Sequence, residues 1–195
     1  MNDYYLLSAP ILLLGVIALL GFVGCFTKPP RPEAAQTFII DQVPGDVRTA
    51  NSWFGMTIHV QSNPLTVRAL GRYFVDGNSM THRMRIVDAM SLEDVPGSMA
   101  NVDMSAPNDD PDDPYRWGSL STPYPVLKAD TIYHILSEEK NPGDAFRDQN
   151  TTVTPVREDA SVDSGVQSDN PGVFQAVGGA EHAFGPVNFR YVVDL

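Results

Sequence analysis

The chain has 195 residues, of which 43% are hydrophobic, and its 24 acidic and 13 basic side chains give a net charge of -11. This composition is too apolar for wholesale disorder and favours one folded domain with an appendage. Acidic charge with scattered lysine and arginine excludes a nucleic-acid binder, because phosphate neutralisation needs a clustered basic face. The single cysteine, Cys25, excludes an internal disulfide and a cysteine-based zinc site.

The N-terminal segment is apolar and long enough to cross a membrane. Residues 4–27 contain no charged side chain, and a membrane-spanning helix needs about 20 apolar residues. We therefore predict that residues 1–26 form a membrane anchor or a lipoprotein-type signal, with membrane contact through residues 4–27. The alternative is a buried core helix, but a helix that is apolar on all faces would fill most of the core of so small a domain.

Two uses of this segment stay open. The string Phe22-Val23-Gly24-Cys25 resembles a bacterial lipoprotein cleavage box, in which the cysteine is lipidated and becomes the new N-terminus. The chain opens with Met1-Asn2-Asp3 and lacks the usual basic residues, which favours an uncleaved anchor. Lys28 and Arg31 after the segment, taken alone, favour a cytoplasmic domain. Because the remainder is acidic and free of cysteine, we expect it to lie in the periplasm or at the cell surface.

A proline-rich linker, residues 27–36, precedes a β domain. Pro29, Pro30 and Pro32 predict an extended spacer of about 3 Å per residue. Residues 37–195 show no sustained helical periodicity and instead contain short runs rich in Val, Ile, Phe, Tyr and Thr. This pattern predicts an all-β fold, an antiparallel β-sandwich of jelly-roll type, preceded by one N-terminal transmembrane or signal helix.

Ten strands are predicted in this domain. In residues 82–87 two arginines alternate with Met84 and Ile86, which places charge on one face and apolar side chains on the other. Gly77 and Asn78 readily adopt positive φ, so the strands on either side of them are expected to pair directly. Residues 158–172 are polar and contain glycine and proline, and we expect a long surface loop there. The ten strands are residues 37–41, 53–61, 65–75, 82–88, 99–104, 124–128, 131–137, 151–156, 173–176 and 187–193.

Several strings of this domain resemble a known family. The string ALGRYFV at residues 69–75, the turn Gly77-Asn78-Ser79 and the closing string at residues 185–192 are similar to secreted bacterial domains of unknown function with a carbohydrate-binding-module-like jelly roll. The resemblance implies a jelly-roll fold and supplies no catalytic residues. This chain departs from the family through an acidic, proline-rich insertion at residues 105–114.

The candidate ligand site follows this acidic loop. Tyr115, Arg116 and Trp117 come directly after the loop, and Tyr124 lies further along the chain. Sugars commonly stack on an exposed tryptophan or tyrosine ring while neighbouring polar side chains bind the hydroxyl groups. We therefore predict that these four residues bind carbohydrate. The alternative is that Trp117 and Tyr124 are core or rim aromatic residues of the sandwich.

The acidic loop itself is a candidate calcium site. Calcium takes six to eight oxygen ligands, and Asp109, Asp110, Asp112 and Asp113 supply carboxylates close together. The spacing does not match an EF-hand, and the alternative is a solvated loop of mutually repelling charges. The four histidines are scattered and known catalytic motifs are absent from the sequence, so no cofactor other than structural calcium and no enzymatic activity are predicted.

These features favour a membrane-tethered, extracytoplasmic and non-catalytic module that binds carbohydrate or a cell-surface polymer. A second interpretation is a structural subunit of a surface assembly, a homo-oligomer in which the N-terminal helix packs against other copies. A third is a hydrolase that uses a pair of carboxylates near Trp117.

Overall fold

A computed structural model describes residues 34–107, 110–170, 172–185 and 187–194. These residues form sixteen β-strands, which confirms the predicted all-β class. Among the described residues, no apolar helix of membrane-spanning length is found. The predicted anchor of residues 1–26, Cys25 and most of the proline-rich linker lie outside the described residues.

Most of the strands contain β-branched or aromatic side chains, which favour an extended backbone. In chain order they are β1 (Gln36–Thr37), β2 (Ile39–Val43), β3 (Val47–Arg48), β4 (Ser52–Val60), β5 (Leu65–Tyr73), β6 (Thr81–Asp88), β7 (Ala100–Asp103), β8 (Tyr115–Ser119), β9 (Val126–Leu127), β10 (Ile132–Glu139), β11 (Phe146–Arg147), β12 (Thr151–Pro155), β13 (Ala160–Asn170), β14 (Val173–Val177), β15 (His182–Ala183) and β16 (Val187–Val193).

Two antiparallel sheets carry most of the domain. The six-stranded sheet has the order β14-β13-β4-β10-β6-β7. The five-stranded sheet has β1-β16-β5-β8 in line, with β9 beside β5. Two smaller sheets, β11-β3 and β15-β12-β2, complete the described part of the chain. The result is a β-sandwich-like fold, as the sequence predicts.

The two main sheets share one hydrophobic core. Met56 and Ile58 of β4 are fully buried and belong to the same apolar cluster as Leu70 of β5 and Phe189 of β16. The ring of Phe38 stacks on that of Phe189, with the two centroids 4.6 Å apart. Burying apolar side chains from both sheets against one another is the main favourable contribution to folding.

The alternation predicted for residues 82–87 is confirmed. Met84 and Ile86 of β6 are fully buried, whereas Arg83 and Arg85 extend over the ring of Trp53 with guanidinium-to-centroid distances of 5.3 and 4.2 Å. The two-residue period of a β-strand therefore predicts correctly which side chains of this segment face the core.

The expected direct pairing of the strands around Gly77 and Asn78 is wrong. β5 belongs to the five-stranded sheet and β6 to the six-stranded sheet, so the chain crosses from one sheet to the other between them. The side chain of Asn78 accepts a hydrogen bond from the backbone N of Ala145 at 3.0 Å and donates one to its carbonyl oxygen at 2.8 Å. These contacts with a distant segment outweigh the local tendency to form a tight hairpin.

The expected surface loop at residues 158–172 is also wrong. Most of this segment is β13, which lies between β4 and β14 within the six-stranded sheet. Its buried positions include Ser164 and Ser168 as well as Val162 and Val166, so its hydrophobic alternation is weak. Hydrogen bonding to strands on both sides holds this polar sequence in the sheet, because strand formation depends strongly on neighbouring strands. β8, another unpredicted strand, is likewise fixed by pairing with β5.

Four ionisable side chains lie buried between the two main sheets. Arg72 of β5 makes a bidentate ion pair with Glu139 of β10, with its Nε and Nη2 atoms 2.9 and 2.7 Å from the two carboxylate oxygens. The imidazole of His82 of β6 lies 3.4 Å from Glu139 and 3.2 Å from Asp144. All four side chains are buried. We call Arg72, His82, Glu139 and Asp144 the buried ionic cluster.

Asp144 is expected to make the stability of the domain sensitive to acid. Burial by itself raises the pKa of this carboxyl group, but hydrogen bonds from the backbone N–H groups of Ser79 and Met80, together with the contact to His82, outweigh burial and lower the pKa. A lowered folded-state pKa stabilises the fold above about pH 4, and this contribution is lost as the pH falls through the folded-state value.

Urea unfolding of the wild type and of Asp144→Asn measures this contribution. The variant is expected to have a free energy of unfolding about 2 kcal/mol lower at pH 7, since it lacks a charged hydrogen-bond acceptor. The difference between the two proteins is expected to narrow as the pH falls below about 4, and to close once the pH is below the lowered folded-state pKa, where the folded wild-type carboxyl group also loses its charge. A difference that stays constant down to pH 3 would contradict this origin.

Candidate functional site

Three of the four predicted ligand residues lie on β8, the edge strand of the five-stranded sheet. β8 pairs with β5, and Trp117 stands opposite Gly71 in the register. β8 also approaches β7, the last strand of the six-stranded sheet, so closely that a Cβ atom at Gly118 would lie 2.5 Å from the carbonyl oxygen of Asn101. The candidate site is therefore built where the edges of the two sheets meet.

Trp117 is held by hydrogen bonding and by ring contacts. Its Nε1 atom donates to Oδ2 of Asp113 at 2.7 Å, and Nη2 of Arg190 donates to the same oxygen at 2.9 Å. The guanidinium carbon of Arg190 lies 4.1 Å from the ring centroid. Gly71 leaves room for the indole, since a Cβ atom there would lie 2.6 Å from Cζ3 of Trp117. The ring is half-buried, and a sugar that stacks on it has to share it with Arg190.

Tyr115 lies beneath the site as a buried support. Its hydroxyl group donates to Oε1 of Gln42 at 2.7 Å, and its ring contacts that of Trp117 with centroids 5.6 Å apart. Burial raises the pKa of the Tyr115 phenol, with the neighbouring Tyr73 and Asp113 adding to the effect. The hydroxyl group therefore stays protonated and keeps its role as a donor to β2.

Arg116 and Tyr124, the other two predicted ligand residues, contact a different set of residues from Trp117. Nε of Arg116 donates to the carbonyl oxygen of Ala106 at 3.1 Å, and its guanidinium group lies 4.4 Å from the ring centroid of Phe74. Tyr124 precedes β9 and is partly buried against the main core. The guanidinium carbon of Arg68 lies over its ring, 4.1 Å from the centroid. Tyr124 lines neither of the two depressions described next.

The first depression, about 550 Å³ in volume, opens between β2 and the segment that precedes β8. Its lining includes Asp41 and Gln42 of β2, Asp112, Tyr115 and Arg190. Carboxylate and amide oxygens here lie beside guanidinium donors, so the surface both accepts and donates hydrogen bonds.

The second depression, about 300 Å³ in volume, opens on the Trp117 side of the edge strand. Its lining includes Asn101, Asp103 and Trp117. Asp110 and Arg190 line both depressions, so the two adjoin at these residues. We call the two depressions together the cleft.

The carboxylates predicted to bind calcium make different hydrogen bonds in the structure. Asp109 lies outside the described residues. Asp113 accepts hydrogen bonds from Trp117 and Arg190 at Oδ2 and from the backbone N–H of Tyr115 at Oδ1. Oδ1 of Asp110 accepts from the backbone N–H of Asp112 at 3.0 Å. In the described part of the chain, no group of three or more His, Cys, Asp or Glu side chains is arranged to hold a metal ion. The calcium site stays a prediction.

Sequence reasoning missed the contribution of Asp41, Gln42 and Arg190 to the cleft. Arg190 alternates with the buried Phe189 and Tyr191 along β16, so the strand period was a usable signal for an outward-facing charge. Asp41 and Gln42 had no comparable signal, because β2 reaches the cleft through tertiary contacts with residues far away in the sequence.

The chain matches no protein-family model and no curated protein sequence. The resemblance to secreted bacterial jelly-roll domains therefore stays a prediction. Any functional conclusion depends on the geometry of the cleft and on the properties of the sequence.

Proposed function

We propose that this protein is a membrane-tethered, extracytoplasmic module with a jelly-roll fold that binds a carbohydrate or cell-surface polymer in the cleft without catalysing a reaction. The observation that carries the proposal is the cleft itself, which places hydrogen-bonding side chains beside Tyr115 and Trp117. The uncharged, apolar residues 4–27 support the membrane tether, and lipidation at Cys25 is a second route to it.

The cleft has the chemistry that carbohydrate recognition needs. Asp41, Gln42 and Asp112 offer oxygen atoms to sugar hydroxyl groups, and Arg190 offers N–H donors. The half-buried indole of Trp117 adds an apolar ring surface of the kind on which sugars pack. Because Asp110 and Arg190 line both depressions, a polymer can occupy both at once. The excess of carboxylates favours a neutral polymer over an acidic one, since like charges repel.

A binding assay with the full-length chain in lipid nanodiscs tests this proposal. The probes are neutral polysaccharides and acidic polysaccharides, each with and without calcium. We expect binding to neutral polysaccharides, and we expect Trp117→Ala to weaken it about tenfold or more, a loss of about 1.4 kcal/mol or more. The matched control is Trp53→Ala, which removes the other tryptophan that lies under an arginine, on the six-stranded sheet.

The outcomes separate the interpretations. Weakened binding in Trp117→Ala with unchanged binding in Trp53→Ala supports the cleft as the binding site. Equal losses in both variants, or no binding by the folded wild type, would overturn the proposal. A requirement for calcium would support an ion at the acidic loop, and release of reducing sugar would show that the protein is a hydrolase instead.

A further inference from the structure

β14 ends the six-stranded sheet as an unprotected edge strand. Within the described chain it pairs with β13 alone, and none of its five residues makes a backbone hydrogen bond outside the strand ladders. Natural edge strands are usually protected by charged side chains, by proline, by bulges or by a covering segment. β14 has the sequence Val-Phe-Gln-Ala-Val and contains no charge and no proline. The bulge in its pairing with β13 lies on β13, between Gln167 and Asn170. The opposite edge, β7, is approached by β8 at Gly118.

A depression on one face of β14 is lined by uncharged side chains. Val173 is 62% exposed, and the ring of Phe174 packs on that of His134 with centroids 4.6 Å apart. These residues border a depression of about 440 Å³ whose lining, which also includes Leu92, contains no Asp, Glu, Lys or Arg. In a chain with a net charge of -11, two copies repel one another except where they meet through an uncharged surface. β14 provides such a surface.

The side chains of β14 are self-complementary about Gln175. In an antiparallel pair of two copies centred on this residue, Val173 of one copy stands opposite Val177 of the other, and Phe174 stands opposite Ala176. Gln175 accepts a hydrogen bond from Nε2 of Gln167 at 3.1 Å through its Oε1 atom. Its own amide N–H groups are then available to donate to Gln175 of the second copy, which extends the glutamine pair across the axis.

We propose that the protein forms a homodimer in which β14 pairs antiparallel with β14 of a second copy about a twofold axis at Gln175. The two six-stranded sheets then form one continuous sheet of twelve strands. Each copy offers the same strand to the other, as a twofold interface requires. The dimer does not depend on what the cleft binds. It does place two clefts on one particle, and a polymer bound in one cleft then meets the second cleft at a high effective concentration.

Measurement of the molar mass of the full-length chain by light scattering in detergent tests the interface. We expect a dimer for the wild type and a monomer for Val173→Lys, because a lysine on an edge strand blocks pairing with a second strand. The matched control is Val126→Lys on β9, where the valine is 46% exposed and lies in the other main sheet. This variant is expected to stay dimeric. A monomeric wild type, or a dimer that persists in Val173→Lys, would overturn the proposal, and the latter would point to the N-terminal segment.

Cysteine cross-linking tests the position of the axis. In a Cys25→Ser background, Gln175→Cys is expected to form a disulfide-linked dimer on oxidation, because a residue on the axis faces its own copy at about 4.5–5.5 Å between Cβ atoms. The control is Val173→Cys on the same strand, whose two copies lie about 14 Å apart in this register. Absence of a cross-link at position 175 in folded protein, or equal cross-linking at position 173, would rule out this pairing.

Discussion

Replacing Glu139 with methionine is expected to lower the free energy of unfolding by about 3–5 kcal/mol, as is replacing Arg72 with methionine. Both side chains are completely buried, and their bidentate ion pair links the two main sheets. Either single change leaves an ionised group in the interior without its ion-pair partner. The remaining contacts, His82 for Glu139 and the carbonyl oxygen of Ala145 for Arg72, offset only part of the lost solvation. Urea unfolding at pH 7 measures the effect.

The double variant distinguishes an uncompensated charge from a general packing defect. Arg72→Met with Glu139→Met removes both charges and keeps apolar side chains of similar length in the interior. We expect a destabilisation well below the sum of the two single changes, because replacing a whole buried ion pair with apolar residues is often nearly neutral. Arg157→Met is the control, since its ion pair with Glu181 lies at the surface, and it should cost less than about 1 kcal/mol. Additive losses in the double variant would contradict this account.

Asn188→Ala is expected to lower the free energy of unfolding by about 3 kcal/mol or more and to release β2 from the core. The side chain of Asn188 is fully buried. Its Oδ1 atom accepts hydrogen bonds from the backbone N–H groups of Ile39 at 2.9 Å and Phe189 at 2.8 Å, and its Nδ2 atom donates to the carbonyl oxygen of Ile39 at 3.0 Å. Alanine leaves three backbone groups unpaired, at about 1–3 kcal/mol each.

Hydrogen exchange measured together with urea unfolding tests the local part of this prediction. Asn188→Ala is expected to increase exchange most at residues 39–43, because Asn188 binds the first residue of β2. Asn101→Ala, which changes an exposed asparagine of β7, is the control and should stay within about 0.5 kcal/mol of the wild type. An equal effect in both variants, or exchange that increases evenly over all strands, would contradict a specific role of Asn188 in holding β2 against the core.

The hydrogen bonds between Asn188 and β2 also connect the stability of the domain with the proposed function. Asp41 and Gln42 enter the lining of the cleft from β2, and the other end of that side of the cleft is held by the hydrogen bond from Tyr115 to Gln42. If β2 detaches in Asn188→Ala, the cleft loses these two side chains while Trp117 keeps its partner Asp113. Polysaccharide binding should then weaken in Asn188→Ala under conditions in which the variant is still folded.

The sequence alone was sufficient for the all-β class and for the orientation of single strands. In β6, apolar and charged side chains alternate with the strand period, and Met84 and Ile86 are buried as this alternation predicts. It also grouped Tyr115 with Trp117 as candidate ligand residues, because both follow the acidic loop directly, but it did not predict the strand β8 that carries them. These properties depend only on local geometry.

Tertiary structure decided which strands pair and which polar residues meet. β13 has little hydrophobic alternation and is a strand because β4 and β14 flank it. The chain between β5 and β6 crosses from one main sheet to the other, and Asn78 in this segment makes two hydrogen bonds to the backbone of the distant Ala145. Arg72 and Glu139 are 67 residues apart in sequence. Gln42 of β2 and Tyr115 of β8, which meet at the cleft, are 73 residues apart. Such contacts depend on burial and hydrogen bonding between distant segments, which the periodicity of a single segment does not encode.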